Sequence, residues 1–331
     1  MASVSGGSLE NRELQQRLTE TVKEALAATS TPGAAIALLL DGRPALVSAV
    51  GFRDLEESTV LDKNARFYIY SVTKSLLATV ILQLVEQGRV ALDAPVQAYL
   101  THVPLDAPVT VRQLLNHTGG VPDYYALPAY FEVLKADPAQ PWTSEDFLAH
   151  TLPKGLTFAP GRGWGYSNIG FLLLRKVIER VMNRSLRTAL HEQLFVPLDL
   201  QQTFVAQTLG DARRLTPGYS GFFSSDGALA DVRSLYHPGW VSHGVVMSTA
   251  PELAQLIEAL FTGRLILPQS LAVMLEPVPV PSEHPLFQQP AYGLGLMIDP
   301  ESRYGVIAGH GGEGPGYSAA ALHLPDVQGH R

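Results

Sequence analysis

β-type sequence stands at both ends of this 331-residue chain, and a helical pattern fills most of the space between them. Near the start, two apolar runs, AAIALLL and PALVSAVG, surround an Asp41-Gly42 turn, which is a strong signal for a β-hairpin. Strand-like segments return only near the end, at 292–298, 304–308 and 317–324. The sequence therefore predicts an α+β fold, with one antiparallel sheet built from N- and C-terminal segments, flanking helices and a large, mostly helical insertion.

Two helices near the start carry clear stop signals. Apolar residues at a four-residue spacing predict an amphipathic helix over 9–28, and Pro32 with Gly33 breaks it. The segment 71–87 is apolar on most faces and predicts a buried helix that stops at Gly88.

Two further helices have N-terminal capping signals. Thr110 with Gln113 forms a capping-box pattern before an apolar pair. The segment 248–261 predicts a helix with Ser248 or Thr249 as its N-cap.

We expect two domains. Residues 1–70 together with 290–331 would form the sheet domain, and residues 71–289 the mostly helical one. The active site would lie at their interface.

Composition excludes several classes of protein. With 46% hydrophobic and 17% charged residues the chain is not disordered, and its net charge of −7 includes no Lys/Arg cluster for nucleic acid. The absence of cysteine excludes disulfides and thiolate metal sites.

Apolar runs such as 76–82 are too short to span a membrane. No secretory signal is visible, so we expect a cytoplasmic protein, or a periplasmic or secreted one if a leader has been removed.

The strongest chemical feature is Ser71-Val-Thr-Lys74 at the head of the apolar helix. Positions i and i+3 share a helix face, so the Lys74 amine can reach the Ser71 hydroxyl. Burial lowers the pKa of a lysine and enables its amine to take the proton of a serine nucleophile. On local evidence, a lysine that snorkels to the surface explains the pattern equally well.

Two other motifs are weaker when taken singly. Tyr166-Ser167-Asn168 offers a phenol for proton transfer and an amide for orienting a substrate, but Asn168 could simply cap the helix predicted over 171–182. His310-Gly311-Gly312 could let a ligand lie against a strand, but two glycines serve a simple turn equally well.

The order and spacing of the three motifs resemble the serine β-lactamases and penicillin-binding proteins, whose pattern is S-x-x-K, a Ser/Tyr-x-Asn element and a K-T-G strand. The closest likeness is to class C β-lactamases, D-peptidases and β-lactamase-like carboxylesterases, over about residues 30–325. Further similar blocks are Leu114-Leu-Asn-His-Thr-Gly-Gly-Val-Pro122, Phe158-Ala-Pro-Gly161, Pro197-Leu-Asp-Leu200, Val246-Met-Ser-Thr-Ala250 and Tyr292-Gly-Leu-Gly-Leu296.

The resemblance implies a role for each motif residue. Ser71 would be acylated, and Lys74 and Tyr166 would relay its proton and activate the deacylating water; which of the two is the formal base stays open. Asn168 would bind the substrate or Lys74. The oxyanion hole would use the backbone N–H groups of Ser71 and Glu313, on the His310-Gly311-Gly312 segment. No metal or cofactor is implied.

The sequence departs from the family pattern at two places. His310 replaces the K-T-G lysine, and a mostly neutral histidine weakens recognition of a carboxylate. Relatives continue past the segment like Leu324-Pro-Asp326 with another strand and a helix, whereas this chain stops at Arg331. We therefore expect a gap in the sheet, with exposed strand edges.

Other kinds of protein are less well supported. An α/β-hydrolase needs G-x-S-x-G, and Gly218-Tyr-Ser-Gly and Gly316-Tyr-Ser-Ala fail at the last glycine. His191-Glu192 lacks the second histidine of a zinc protease, because residue 195 is Phe195.

The predicted function is hydrolysis of a small-molecule ester or amide through an acyl-enzyme, with carboxylesterase favoured over β-lactamase or D-alanyl/D-amino peptidase. The alternative of another class is a catalytically silent family member that acts as a binding or assembly scaffold. The sequence makes no prediction of oligomeric state.

Overall fold

The N-terminal helix and hairpin form as the sequence predicts. A computed structural model describes residues 6–56 and 58–324 of the protein, with side chains from residue 13. The turn at Asp41 and Gly42 has φ angles of 50° and 71°. Two consecutive positive φ angles match the right-handed twist of the flanking strands, which explains the Asp-Gly pair.

The α-helices of the described residues are α1 (Gly6–Thr29), α2 (Thr73–Glu86), α3 (Val111–Leu115), α4 (Pro128–Ala136), α5 (Ser144–Thr151), α6 (Asn168–Met182), α7 (Leu186–Leu190), α8 (Leu209–Ala212), α9 (Ala250–Phe261) and α10 (Pro268–Met274). The strands are β1 (Gly33–Leu40), β2 (Arg43–Gly51), β3 (Phe67–Tyr68), β4 (Phe204–Ala206), β5 (Tyr219–Ser220), β6 (Ala230–Asp231), β7 (Val245–Ser248), β8 (Val278–Pro279), β9 (Ala291–Tyr292), β10 (Met297–Ser302), β11 (Gly305–Gly314) and β12 (Tyr317–His323).

The strands form antiparallel sheets, and the predicted α+β class is confirmed. The C-terminal strands lie in the order β12-β11-β10-β9-β8, whereas β1 and β2 pair only with each other. No ladder joins these two sheets in residues 6–56 and 58–324, so the single sheet expected from both chain ends is divided into two there. Helix α9 packs against both β1 and β12 and thereby links the two sheets through side chains.

The sequence missed the strands in the middle of the chain. β7 pairs with β3 on one side and with β4 on the other. These strands have two to four residues, which is too short for an alternating pattern to show, and their partners are far away in sequence. The expectation that strands return only near the C-terminus was therefore wrong.

One predicted strand, 292–298, is interrupted. β9 ends at Tyr292, and the chain turns through Gly295, whose φ is 73°, before β10 begins. A Cβ at Gly295 would lie 3.0 Å from the Lys74 carbonyl oxygen, and Ser75 Oγ donates a hydrogen bond to the Gly295 carbonyl at 2.7 Å. Gly295 therefore allows the chain to bend and to pack against the backbone of α2.

Helix α2 is the centre of the molecule. Ten consecutive residues, 73–82, are buried, and α2 packs against α6. Burial on nearly every face agrees with the apolar sequence of the predicted helix, whose C-terminal end lies just before Gly88 as expected. Lys74 lies within this buried run.

The capping predictions are also confirmed. Thr110 and Gln113 make a complete capping box at α3, and Thr249 is the N-cap of α9. Within the described ranges, no helix is long and apolar enough to cross a membrane. The division into two domains stays a prediction.

Candidate active site

Ser71 lies in a 3₁₀ turn, Tyr70–Val72, that leads directly into α2. The preceding residue, Tyr70, has a φ of 39°, in the left-handed region that a bulky side chain rarely adopts. The Tyr70 ring is buried against Gly314, and its hydroxyl donates to the Pro315 carbonyl at 2.6 Å. Contacts with the end of β11 therefore hold a strained turn at Ser71.

Lys74 points from α2 at the serine. Its Nζ lies 3.0 Å from Ser71 Oγ and 2.8 Å from Asn168 Oδ1, and the residue is 0% exposed. Burial lowers the pKa of Lys74 well below its ordinary value. The negative charge of Asp123 raises this pKa, but its effect is the smaller one. The alternative that Lys74 snorkels to the surface was wrong.

Asn168 does not cap α6. Ser167 is the N-cap, and its Oγ accepts a hydrogen bond from the Gly170 N–H at 2.9 Å. The Asn168 side chain is therefore free to bind Lys74 through Oδ1, and it is also hydrogen-bonded to Asp123. An oxygen directed at the amine and a nitrogen directed at the carboxylate fix the orientation of this amide.

Tyr166 completes the cluster from the loop before α6. Its phenol is hydrogen-bonded to the Ser71 side chain, and Lys74 Nζ lies 4.8 Å from the centre of its ring. Burial raises the pKa of Tyr166 above the ordinary value of a phenol. The structure thus brings Ser71, Lys74, Tyr166 and Asn168 together.

His310, Gly311 and Gly312 lie within β11, so the alternative of a simple turn was wrong. A Cβ at Gly312 would overlap the Ile69 carbonyl oxygen and lie 2.9 Å from the Ser71 nitrogen. Only a glycine lets the strand run this close to the nucleophile. Glu313, the next residue, has an exposed side chain.

His310 is buried beneath the site, with 2% of its surface exposed. Its Nδ1 is hydrogen-bonded to the Gly311 carbonyl, which requires a proton on Nδ1, so Nε2 accepts from the Tyr292 hydroxyl at 2.8 Å. Burial, and then the charge of Lys74, lowers the pKa of His310 to about 3. The position of the K-T-G lysine therefore holds a neutral side chain.

Three residues around Lys74 were not expected from the sequence. His243 Nε2 lies 3.3 Å from its Nζ. The Asp123 carboxylate accepts hydrogen bonds from the backbone N–H groups of Tyr125, at 2.8 Å, and Asn168. His117 Nδ1 accepts from the Ser167 N–H at 3.1 Å. His117 belongs to a block already noticed and Asp123 follows it directly, whereas nothing in the local sequence marks His243.

A cavity of about 120 Å³ opens beside Tyr166. Its walls are mainly apolar and aromatic side chains, with polar groups at Ser282 and His284. The lining residues are Trp164, Tyr166, Val280, Ser282, His284, Phe287, Pro290, Ala291, Tyr292 and Met297. In the described part of the chain, no group of three or more His, Asp or Glu side chains is placed to hold a metal ion.

Known protein families and sequences show similarity to this chain. The sequence profile of the Beta-lactamase family matches residues 18–328. Penicillin-binding protein 4* of Bacillus subtilis is 27% identical over 83% of this chain and 62% of its own length. A D-aminopeptidase of Brucella anthropi is 35% identical over 51% of this chain and 32% of its own length. The chain thus spans less than two thirds of these curated relatives.

Comparison with solved structures gives the same fold. A D-stereospecific amidohydrolase from Streptomyces sp. superposes with a TM-score of 0.75 at 32% sequence identity. The superposition covers 89% of this chain and 86% of the amidohydrolase.

Proposed function

The chain belongs to the Beta-lactamase family, and we propose that it is a serine hydrolase in which Ser71 attacks a carbonyl group and becomes acylated. The observation that carries this proposal is the contact of a buried lysine amine with the serine hydroxyl, 3.0 Å apart. A serine hydroxyl is a weak nucleophile until a neighbouring base takes its proton. Asn168, 2.8 Å from the same amine, holds the base in place.

Lys74 is the better candidate for the formal base. Its lowered pKa favours a neutral amine, which can accept the Ser71 proton. The raised pKa of Tyr166 keeps the phenol protonated, so Tyr166 suits the delivery of a proton to the leaving group. The opposite pKa shifts of the two groups support this division of roles.

We assign the oxyanion hole to the backbone N–H groups of Ser71 and Glu313. The close approach of Gly312 to the Ser71 nitrogen supports this, because it places the backbone of β11 beside the nucleophile. Donors held by a rigid strand stabilise a developing oxyanion without reorganising.

The substrate we propose carries no carboxylate beside the scissile bond. The buried, neutral His310 supplies no cation for one, which favours a carboxylic ester over a β-lactam or a D-alanyl peptide. A D-amino-acid amide is the second candidate. The 32% identity to a D-stereospecific amidohydrolase favours it, and such an amide also lacks a free carboxylate.

The apolar cavity supports a small apolar group on the substrate. Its volume of about 120 Å³ is somewhat below the ~150 Å³ cavity that holds a benzene molecule. A short or branched aliphatic chain is therefore a better fit than a large aromatic ring. We expect p-nitrophenyl butanoate to give a higher kcat/KM than p-nitrophenyl acetate.

A fluorophosphonate probe is expected to label Ser71, and mass spectrometry of the digested protein locates the adduct. The substrate panel consists of the two p-nitrophenyl esters, D-valine amide and nitrocefin. We expect ester hydrolysis to exceed nitrocefin turnover by at least about 100-fold in kcat/KM, the equivalent of about 2.7 kcal/mol. Folded protein without an adduct on Ser71 would instead support a catalytically silent scaffold.

The pH dependence of kcat/KM distinguishes the two candidate bases. If neutral Lys74 is the base, activity rises with pH through its lowered pKa, since rising pH deprotonates the amine, and then levels off below pH 10. If a Tyr166 phenolate were the base, activity would still be rising above pH 10, because the pKa of Tyr166 is raised. Initial rates from pH 5 to 11, on an ester corrected for its spontaneous hydrolysis, decide between them.

A further inference from the structure

The Lys74 amine has a third polar neighbour besides the serine and the asparagine. His243 Nε2 lies 3.3 Å from Nζ, and His243 is 1% exposed. Ring and amine therefore meet in a closed environment, where neither can turn to solvent.

The backbone places His243 firmly. It lies just before β7. This strand pairs with β3, which ends shortly before Ser71 in the chain. The first residues of β7 are tied to α2, since the Val246 N–H donates to Thr73 Oγ1 at 3.1 Å. The distance between ring and amine is thus set by two elements that pack together.

His243 is a neutral imidazole. Burial is the main cause of its lowered pKa, and four other groups act in the same direction: Lys74 from α2, His310 from β11, Arg175 from α6 and His117 from the segment after α3. The ring therefore has one nitrogen that donates and one that accepts.

A neutral amine has two N–H groups and one lone pair. Asn168 Oδ1 is an acceptor and takes one N–H. If His243 Nε2 takes the second, the lone pair is left on the side of Ser71. The other tautomer would direct an N–H at the lone pair and compete with the serine hydroxyl for it.

We propose that His243 is a positioning residue whose unprotonated Nε2 accepts one N–H of Lys74, so that the lone pair of the amine faces the Ser71 hydroxyl. This inference rests on the proposed function of Ser71 and Lys74. When the serine attacks, its O–H bond breaks and a third N–H bond forms on Lys74, while the oxygen electron pair bonds to the substrate carbonyl carbon. The three N–H groups of the resulting ammonium then have Ser71, Asn168 and His243 as acceptors.

The second ring nitrogen argues for a role of the imidazole beyond packing. This tautomer carries its proton on Nδ1, and Nδ1 is buried without a hydrogen-bond partner in the described part of the protein. A buried unpaired N–H is costly, and an apolar side chain would fill the same space without that cost. Packing alone therefore does not account for an imidazole here.

Three variants of His243 test the inference. The side-chain amide of His243→Gln reaches the position of Nε2, that of His243→Asn reaches only the position of Nδ1, and His243→Leu removes both. We expect kcat on p-nitrophenyl acetate to fall about 10- to 100-fold in the Asn and Leu variants, with KM within about threefold of wild type. His243→Gln is expected to keep kcat within about threefold of wild type.

A second readout does not depend on turnover. The NMR titration of the Lys74 ¹³Cε, assigned by its absence in Lys74→Met, gives the pKa of this lysine. Loss of an acceptor for the ammonium disfavours the charged form, so we expect the midpoint to fall by about one pH unit in His243→Leu and to stay near wild type in His243→Gln.

Two results would overturn the inference: wild-type values of kcat and midpoint in all three variants, or a Gln variant as impaired as the Leu variant. An inactive, unlabelled wild type would overturn the proposed function instead, and the titration would still report on the contact between His243 and Lys74.

Discussion

Lys74→Met is expected to lower kcat/KM by about 10³- to 10⁴-fold while the protein stays folded. General-base catalysis by a positioned side chain contributes about 10²- to 10⁴-fold, and here the same group also holds the serine hydroxyl at 3.0 Å. Methionine has a similar length and no charge, so it fills the space of the lysine side chain without acting as a base. Steady-state rates on p-nitrophenyl butanoate and the rate of fluorophosphonate labelling measure the loss.

Lys74→Met is also expected to raise Tm, by an amount that depends on pH. The unfolded chain keeps Lys74 protonated up to about pH 10.4, whereas the folded protein releases that proton at a lower pH. The free energy of unfolding of the wild type therefore increases with pH in the range between two values, the pKa of Lys74 in the folded protein and its higher pKa in the unfolded chain. Lys74→Met removes this dependence, so its gain in Tm over wild type is expected to be largest at acidic pH and to shrink towards pH 10.

Lys176→Met is the matched control for Lys74→Met. Lys176 is a partly exposed lysine of α6 whose Nζ lies 2.9 Å from Glu145 Oε1. Surface ion pairs of this kind contribute about 0–1 kcal/mol, so activity and Tm should change little. A Lys74→Met enzyme that kept more than about a tenth of wild-type kcat/KM would contradict the assignment of Lys74 as the base.

Gly312→Ala is expected to lower kcat/KM by about 10²- to 10³-fold. The added methyl group would overlap the Ile69 carbonyl oxygen and lie 2.9 Å from the Ser71 nitrogen. Because both neighbours are backbone atoms, the strand has to move away from the nucleophile. Loss of one oxyanion donor costs a factor of this size, and the fall should appear mainly in kcat.

The neighbouring glycine provides the comparison. A Cβ at Gly311 would meet no heavy atom within 4 Å, so Gly311→Ala adds the same methyl group to the same strand without the overlap. We expect its loss of activity to be at least about tenfold smaller than that of Gly312→Ala, an energy difference of about 1.4 kcal/mol. Equal losses in the two variants would argue against a specific role for the approach at Gly312.

The sequence was sufficient for features formed by neighbours along the chain. The turn at Asp41 and Gly42, the cap at Thr110 and the contact of Ser71 with Lys74 all depend on residues within four positions of each other. The strands β3, β4 and β7 were missed because each is short and is stabilised only by its distant partners. The interruption at Gly295 was missed because it depends on how closely the chain packs against α2.

What the sequence by itself determined is the set of chemical groups and their local spacing: a serine and a lysine three positions apart, a phenol, an amide, and a histidine in place of the lysine of K-T-G. What only the tertiary structure decided is the state of those groups. Asn168 and His243 reach Lys74 from 94 and 169 residues away, and the burial of Lys74 and His310 depends on every segment packed around them. The pKa of a side chain depends on this whole environment. The local sequence therefore identifies the lysine but does not determine whether it is a charged surface group or a neutral base.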